Sequence, residues 1–441
     1  MDESGLKREI PLSTKNMMRL LEALTPLNRV LCSSDLDWTL DVLSQELPFE
    51  RRVFRADPPH NGWVIPPKWD VLEASISHRG EVIYDGTAHA LGVIALSAPF
   101  EGTLSRNELR KHLHYDHRYD DSLTFHFRQL FRSWDRDWGF CVTKRFYDQL
   151  SEGDYEIRIR TEEAEGYLAV LEHTLHGQLP DAVVVCATTD HPGVSNDGLS
   201  GVVVATELFK WLASAPRKLT YRLVLPPSIM GTEYYLARLA DQEKAPIMEA
   251  FCLFMTGSQP QLALQRSRNQ RSILEVLLEE ELGGAHVPHR VGGFEEININ
   301  DEYIWEAHGI PTCSLARFPY DEYHSSRDNV SAIDPAHLQQ TLDLCKAAFQ
   351  ELDNLTMVER CFSGTICMSN PEIDLYVDPG QVSFGERVST TTLKLRRLMD
   401  TLPTMDRTTS TRQLARDLDL DTESVEEYLT RCAARGLVRL K

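Results

Sequence analysis

The sequence predicts an α/β fold, a mixed open sheet with helices on both faces, and three observations support this prediction. Short apolar runs alternate with helical patterns from about residue 155 onward, as in layered α/β proteins. The run AVVVCA at 182–187 is apolar throughout, which is typical of a strand covered on both faces. Polar, Gly-rich turns follow such runs, at the edge where open α/β sheets bind ligands.

The first 140 residues contain two helical patterns followed by a β-rich segment. Apolar residues at helical spacing predict helices at 17–24 and 37–47. Short apolar segments punctuated by Gly and Asp follow, and Pro-Pro pairs at 58–59 and 66–67 exclude helix there. We therefore predict an inserted β-rich domain over residues 57–140.

Strands and helices alternate in the following part of the chain. Strands are predicted at 155–160, 167–173, 182–187, 219–225, 250–255 and 311–316. Helices are predicted at 200–213, 231–239, 271–282, 303–308 and 336–352. With the N-terminal helices, these elements predict one α/β domain formed by residues 1–56 and 141–360.

The last segment, residues 361–441, has a different pattern. Helices at 411–418 and 421–434 and a strand at 438–440 follow the helix, turn, helix and strand order of a winged helix. The second helix begins with an acidic turn that contains Asp421 and Glu423, which disfavours a helix lying against DNA phosphates. We expect a packing or protein-interaction module.

Composition and charge narrow the functional classes. The 441 residues include 66 Asp or Glu and 46 Lys or Arg, a formal net charge of −20, which disfavours nucleic-acid binding. No apolar run reaches the 18 or so residues of a membrane span. Nine cysteines without a CxxC pair indicate neither a disulfide framework nor a Cys-type zinc site. We predict a cytoplasmic protein that binds neither nucleic acid nor membrane, and the sequence leaves a homo-oligomer open.

The turn after the predicted strand at 182–187 is the first candidate site. Asp190, His191 and Asp197 lie within eight residues on a Gly-rich loop, and carboxylate and imidazole groups suit zinc. The alternative is that Asp197 and Ser200 only cap the following helix. The turn alone does not decide between the two interpretations.

Two later turns favour the metal interpretation. Asn300-Asp301-Glu302 precedes a predicted helix, and a turn that contains His324 follows a predicted strand. Separate turns at strand ends are how an α/β sheet brings carboxylates and imidazoles to one metal ion.

Two motifs resemble those of a known family. SNDGLSG at 195–201 resembles the NDNLSG turn, and EYHSSRDN at 322–329 resembles the EYHTSADN turn, of aminopeptidase-like bacterial proteins related to M28 zinc peptidases. The similarity covers nearly the whole chain. It implies a zinc-peptidase-like α/β domain with an inserted β module and a C-terminal winged-helix segment.

The resemblance also implies roles for individual residues. Asp197 matches the carboxylate that ligates metal in the M28 relatives, and Asp301 and His324 match later metal-ligand positions. His191 matches the second histidine of the family's HICHPS turn. Asp190 matches an aspartate that orients a ligand without binding the metal itself.

Two departures from the family pattern concern the chemistry. Thr188 replaces the first histidine of HICHPS, and Ser228 stands where the family has its catalytic glutamate. A serine cannot act as general base for a metal-bound water, so Glu233 or Asp190 would have to do so. The resemblance then implies hydrolysis of a small peptide or aminoacyl substrate by a partly degenerate site with one zinc ion. The alternative is a non-hydrolytic peptide- or aminoacyl-binding descendant, in which the ion is retained or lost.

Overall fold

The computed structural model describes residues 11–55, 60–298, 300–378, 389–405 and 408–441. The chain divides into two compact units, residues 1–346 and 347–441.

The elements of the first unit are α1 (Leu12–Leu24), α2 (Ser34–Leu43), β1 (Glu50–Phe54), β2 (Lys68–His78), β3 (Glu81–Asp85), β4 (Phe100–Ser105), α3 (Arg106–Leu109), β5 (Leu113–His114), β6 (Phe140–Cys141), α4 (Lys144–Gln149), β7 (Asp154–Ala164), β8 (Leu168–Leu175), β9 (Ala182–Cys186), α5 (Gly201–Leu212), β10 (Thr220–Leu225), α6 (Ser228–Arg238), α7 (Asp241–Lys244), β11 (Ile247–Leu253), β12 (Leu262–Gln265), α8 (Ile273–Gly284), β13 (His289–Gly292), α9 (Asp301–Ala307) and β14 (Thr312–Ala316). Helix α10 (Pro335–Asn354) includes residues of both units.

Eight strands form the main sheet, in the order β1-β8-β10-β9-β11-β14-β12-β13. The central strands β10, β9, β11 and β14 are parallel, and the sheet also contains antiparallel pairs such as β8 with β10. Val184 and Cys186 of β9 pack in one core with Tyr235 of α6 and Trp305 of α9. The intervening valines of β9 point to the opposite face and are equally buried. The mixed α/β fold predicted from the sequence is therefore confirmed.

A second, four-stranded sheet has the order β3-β2-β7-β4. Its buried side chains form one core with Val30, Val194 and Met230 of the α/β domain. Strand β7 belongs to this sheet although it lies beyond the predicted insertion at 57–140. The small sheet thus uses residues on both sides of position 140, and the domain boundaries themselves stay predictions.

The second unit contains β15 (Met357–Arg360), α11 (Thr390–Thr401), β16 (Thr409–Ser410), α12 (Thr411–Leu418), α13 (Thr422–Ala434) and β17 (Val438–Leu440). The strands form a sheet in the order β16-β15-β17. Val358, Leu398, Leu414 and Leu429 belong to its buried core. The two predicted helices and the last strand are present, and the winged-helix interpretation stays a prediction.

Among the residues that the structure describes, no helix is both long enough and apolar enough to cross a bilayer.

A buried guanidinium connects the end of α1 to the turn that follows β9. Arg29 is fully buried and donates hydrogen bonds to the backbone carbonyls of Leu24, His191 (2.6 Å) and Val194 (2.8 Å). Burial lowers the pKa of Arg29 to about 10, against the opposing effect of nearby carboxylates such as Asp190. The side chain therefore stays charged at neutral pH and fixes the 191–194 turn.

Arg29→Met should destabilise the protein by roughly 3 kcal/mol, because buried carbonyls would lose their donor. Urea unfolding of the metal-free protein, followed by circular dichroism, measures the change. Arg19→Met is the control, since Arg19 pairs with Glu46 on the surface, and it should cost less than about 1 kcal/mol. Equal losses in the two variants would contradict the role given to Arg29.

Candidate metal site

The turn between β9 and α5 breaks helical geometry at two residues. Asp197 has ψ 104° and Gly198 has φ +88°. A Cβ atom at Gly198 would lie 2.8 Å from the carbonyl oxygen of Thr188, so both the backbone angle and the space require glycine there. Neither Asp197 nor Ser200 caps α5 through its side chain, so the capping alternative does not describe this turn.

Asp328 holds this turn against the loop that carries His324. One of its carboxylate oxygens accepts the backbone N–H of Asn196 at 2.6 Å, and the other accepts that of Asp197 at 3.1 Å and the Tyr320 hydroxyl at 2.7 Å. Burial raises the pKa of Asp328 to about 6, although these donors act in the opposite direction. Sequence reasoning did not identify Asp328, and its place in the EYHSSRDN motif was the available signal.

Three of the predicted ligands meet at one point. Their ligand atoms in His191, Asp197 and His324 all lie within 4.8 Å of one another. The Nε2 atoms of His191 and His324 lie 3.5 Å and 3.0 Å from Asp197 Oδ2. We call these three residues the triad. They are the one such group of His, Cys, Asp or Glu found in the described part of the chain.

Both histidines of the triad have unusual backbone angles. His191 has φ +84° and His324 has φ +55°, in a left-handed region that costs a residue other than glycine roughly 1–3 kcal/mol. Such strain concentrates at functional sites. The two histidines are therefore held in place by their surroundings, and their local backbone preference opposes the arrangement.

The electrostatics of the triad fit a cation. Burial lowers the pKa of His191, but the charges of Asp197 and Asp190 outweigh this effect and raise it to about 10. Burial has the opposite effect on a carboxyl group and raises the pKa of Asp197. His191 and His324 nevertheless bring the pKa of Asp197 below its ordinary value. Asp197 Oδ2, His191 Nδ1 and His324 Nε2 are buried and make no well-aligned hydrogen bond. Two imidazoles and a carboxylate are a ligand set of catalytic zinc sites, which leave a fourth position open.

The other predicted site residues have different partners. Asp190 Oδ1 accepts hydrogen bonds from the Ser228 N–H at 2.9 Å and hydroxyl at 2.5 Å, and it lies 3.4 Å from His191 Nδ1. Asp301 accepts a short hydrogen bond from Thr232. Neither Asp190 nor Asp301 belongs to the triad.

Glu233, on α6, contacts two histidines from other parts of the chain. Its two carboxylate oxygens lie 2.5 Å from His60 Nε2 and 3.1 Å from His308 Nε2. Lys244 Nζ lies 2.9 Å from the other ring nitrogen of His308. Glu233 therefore belongs to a separate series of contacts that runs from His60 to Lys244, and it is not part of the triad.

A cavity of about 150 Å³ lies over the triad. His191 and His324 line it together with Asp190, Ser228 and Asn300. The remaining lining side chains are apolar or aromatic, and they are Phe125, Phe127, Leu130, Phe131, Ile229 and Tyr323. A small ligand in this cavity would thus contact both candidate metal ligands and an apolar surface.

Two adjacent carboxylates lie buried at the start of α9. Burial raises the pKa of both Asp301 and Glu302 to about 7. Neither oxygen of Glu302 makes a well-aligned hydrogen bond. Because an unpaired buried charge is unfavourable, a large share of Glu302 should carry a proton near neutral pH.

The fold is that of aminopeptidase-like α/β proteins related to M28 zinc peptidases. The chain belongs to the family described as "Domain of unknown function (DUF4910)", whose model matches residues 18–355.

Individual relatives agree with this placement. A protein from Clostridium acetobutylicum named "Putative polysaccharide biosynthesis protein with aminopeptidase-like domain" is 27% identical over 318 residues, 70% of this chain and 71% of that protein. The crystal structure of a "putative peptidase" from the same organism has a TM-score of 0.74 at 21% identity and covers 97% of each chain. The zinc aminopeptidase BSAP from Bacillus subtilis has a TM-score of 0.58 at 17% identity, over 78% of this chain and 96% of that one. At these identities the structural likeness concerns the fold.

Glu302→Gln should make stability less dependent on pH. The folded-state pKa of Glu302 lies above its ordinary value of 4.5, so its contribution becomes more unfavourable as the pH rises from 4.5 to 7. At pH 8 the variant should exceed the parent by on the order of 3 kcal/mol, and at pH 4.5 the difference should nearly vanish.

Urea unfolding of chelator-treated protein at pH 4.5, 6 and 8 measures this difference. Glu81→Gln, at an exposed position on β3, is the control and should follow the parent. A pH-independent difference for Glu302→Gln would show that its carboxyl does not titrate differently on folding.

Proposed function

We propose that this protein is an aminopeptidase-like amide or peptide hydrolase that works with one zinc ion held by the triad. The observation that carries the proposal is that the ligand atoms of the triad meet at the edge of a small cavity, and that two of them, Asp197 Oδ2 and His324 Nε2, make no well-aligned hydrogen bond. The zinc aminopeptidases among the proteins of similar fold support the choice of metal. Small peptides and aminoacyl compounds are the proposed substrates.

The triad residues would hold the ion beside the cavity. A bound zinc ion supplies Lewis acidity, which polarises a carbonyl group and lowers the pKa of water. Asp190 is the one carboxylate among the side chains that line the cavity. It lies beside His191 Nδ1, so it would fix the orientation of that imidazole.

Proton transfer is assigned to Asp190 in this proposal. Ser228 donates two hydrogen bonds to Asp190 Oδ1, which leaves Oδ2 for a proton or for a substrate amine. Glu233 is a weaker candidate, because His60 and His308 already occupy its two oxygens.

A second candidate function is binding of a peptide or aminoacyl ligand without hydrolysis. The observation that favours it is the contact between Ser228 and Asp190, at the position where the family resemblance places a catalytic glutamate. In this case the triad and the cavity would bind a ligand, and the base would be absent.

A cytoplasmic location is also proposed. All nine cysteines are free, which is usual for proteins of a reducing compartment. The expectations of no nucleic-acid partner and of an open oligomeric state stay predictions.

Asp197→Asn and His324→Ala should each abolish zinc retention, because each removes one of three ligands. The protein is loaded with zinc and desalted, and zinc per chain is measured by elemental analysis, with circular dichroism as the folding check. We expect about one ion in the parent and a loss of at least 10-fold in affinity in each variant.

Asp301→Asn is the matched control, since Asp301 is a buried aspartate that bonds to Thr232 and lies outside the triad. It should retain about one zinc ion. Zinc loss in Asp301→Asn equal to that in Asp197→Asn would mean that Asp301 is a further ligand. Full retention in both triad variants would refute the ligand assignment.

Zinc-dependent cleavage of aminoacyl amides and dipeptides should separate the two candidate functions. A hydrolase predicts turnover that Asp190→Asn lowers at least 100-fold when enough zinc is supplied to keep its content near one per chain. Glu233→Gln, measured in parallel, should keep most of the activity. Ligand binding by calorimetry with no turnover in the zinc-loaded parent would favour the non-hydrolytic function.

A further inference from the structure

The inserted β-rich segment supplies most of the apolar surface over the triad. Phe125, Phe127, Leu130 and Phe131 all line the cavity. The Phe125 ring lies 5.4 Å from the His191 ring and 5.2 Å from the His324 ring, between centroids. The Phe127 ring lies 5.2 Å from that of His324. We call Phe125, Phe127, Leu130 and Phe131 the aromatic wall. The wall therefore borders the position where the metal would bind.

Backbone hydrogen bonds fix the aromatic wall relative to His324. The N–H of Phe125 donates to the carbonyl of His324 at 2.9 Å, and Thr124 forms an antiparallel bridge with Ser325. The N–H of Ser326 donates to the carbonyl of Leu123 at 2.9 Å. His324 and the aromatic wall thus lie on two segments that are paired by backbone hydrogen bonds. The distance between them is therefore fixed before a ligand binds.

The polar lining of the cavity carries little charge apart from the triad histidines. Asp190 is the one further charged side chain, and Ser228 and Asn300 are neutral. No Lys or Arg is among the lining residues, so an acidic side chain that lies against the apolar lining would meet no Lys or Arg there. Phe127 is 40% exposed, and an apolar group that covers it would gain hydrophobic free energy.

We propose that the cavity selects aminoacyl groups with an aromatic or large aliphatic side chain, which packs against Phe127 and Phe131. The inference rests on the proposed function, because the carbonyl end of the ligand must lie at the metal bound by the triad. A cavity of about 150 Å³ suits this class, since apolar cavities of that size hold a benzene ring. A Gly or Ala side chain would leave the wall uncovered. An Asp or Glu side chain would meet no Lys or Arg there.

Amino-acid hydroxamates test the proposal, because the hydroxamate group chelates zinc and the side chain is varied independently. The affinities of zinc-loaded protein for acetohydroxamate and for the hydroxamates of Phe, Leu, Ala and Asp are measured by calorimetry. We expect Phe and Leu hydroxamates to bind at least 10-fold more tightly than that of Ala, with that of Asp the weakest.

Phe127→Ala should reduce the preference for Phe over Ala to less than 3-fold, with each affinity expressed relative to acetohydroxamate in the same variant. Because Phe127 is partly exposed, this variant should fold, and Phe131→Ala gives a second measurement. Trp134→Ala is the matched control, since Trp134 is 65% exposed and is not among the lining residues. It should keep the full preference.

The outcomes separate the two levels of the proposal. If acetohydroxamate binds but all side chains bind alike, or if Phe127→Ala and Phe131→Ala keep the parent's preference, the selectivity is refuted and the metal site stands. If acetohydroxamate does not bind the zinc-treated protein, the metal site and the selectivity that rests on it are both refuted.

Discussion

The candidate site depends on one turn, residues 191–197, that is held between a buried cation and a buried anion. Arg29 donates to the carbonyls of His191 and Val194, while Asp328 accepts the N–H groups of Asn196 and Asp197. Each charge supplies partners for backbone groups that could not form a regular helix or strand here. The two charges also interact favourably with each other, which lowers the cost of burying either one. The positions of two triad residues follow from this arrangement.

The burial pattern of each strand explains which parts of the fold the sequence could predict. The central strand β9 is apolar at every position and both faces are buried, so its pattern is unambiguous. Strand β7 alternates buried and exposed residues, and this pattern fits any half-buried sheet, so it could not reveal that β7 joins β2 and β4. Strands β12 and β13 have four residues each, too few for a periodic signal. Local pattern therefore predicted elements better than their partners.

The candidate site likewise contains contacts that the sequence could predict and contacts that it could not. The convergence of His191, Asp197 and His324 was predictable, because all three lie in turns at strand ends and in quoted motifs. Asp301 and Glu233 bond instead to Thr232, His60 and His308. The His60–Glu233 contact joins residues 173 positions apart, and no local pattern reports such a contact. Arg29 and Asp328 were missed for the same reason, since their partners are backbone groups distant in sequence.

Strain and unpaired polar atoms at the triad bear on what the site still does. The left-handed backbone of His191 and His324 and the lack of well-aligned hydrogen bonds at Asp197 Oδ2 and His324 Nε2 each oppose folding. Arg29 holds the backbone of His191 and Phe125 that of His324, but these contacts do not satisfy the side-chain atoms of the triad. A metal ion would satisfy Asp197 Oδ2 and His324 Nε2 at once, and its binding free energy would add to the stability of the folded chain. This reasoning concerns the triad alone, so it applies equally to a hydrolase and to a binding protein without a base.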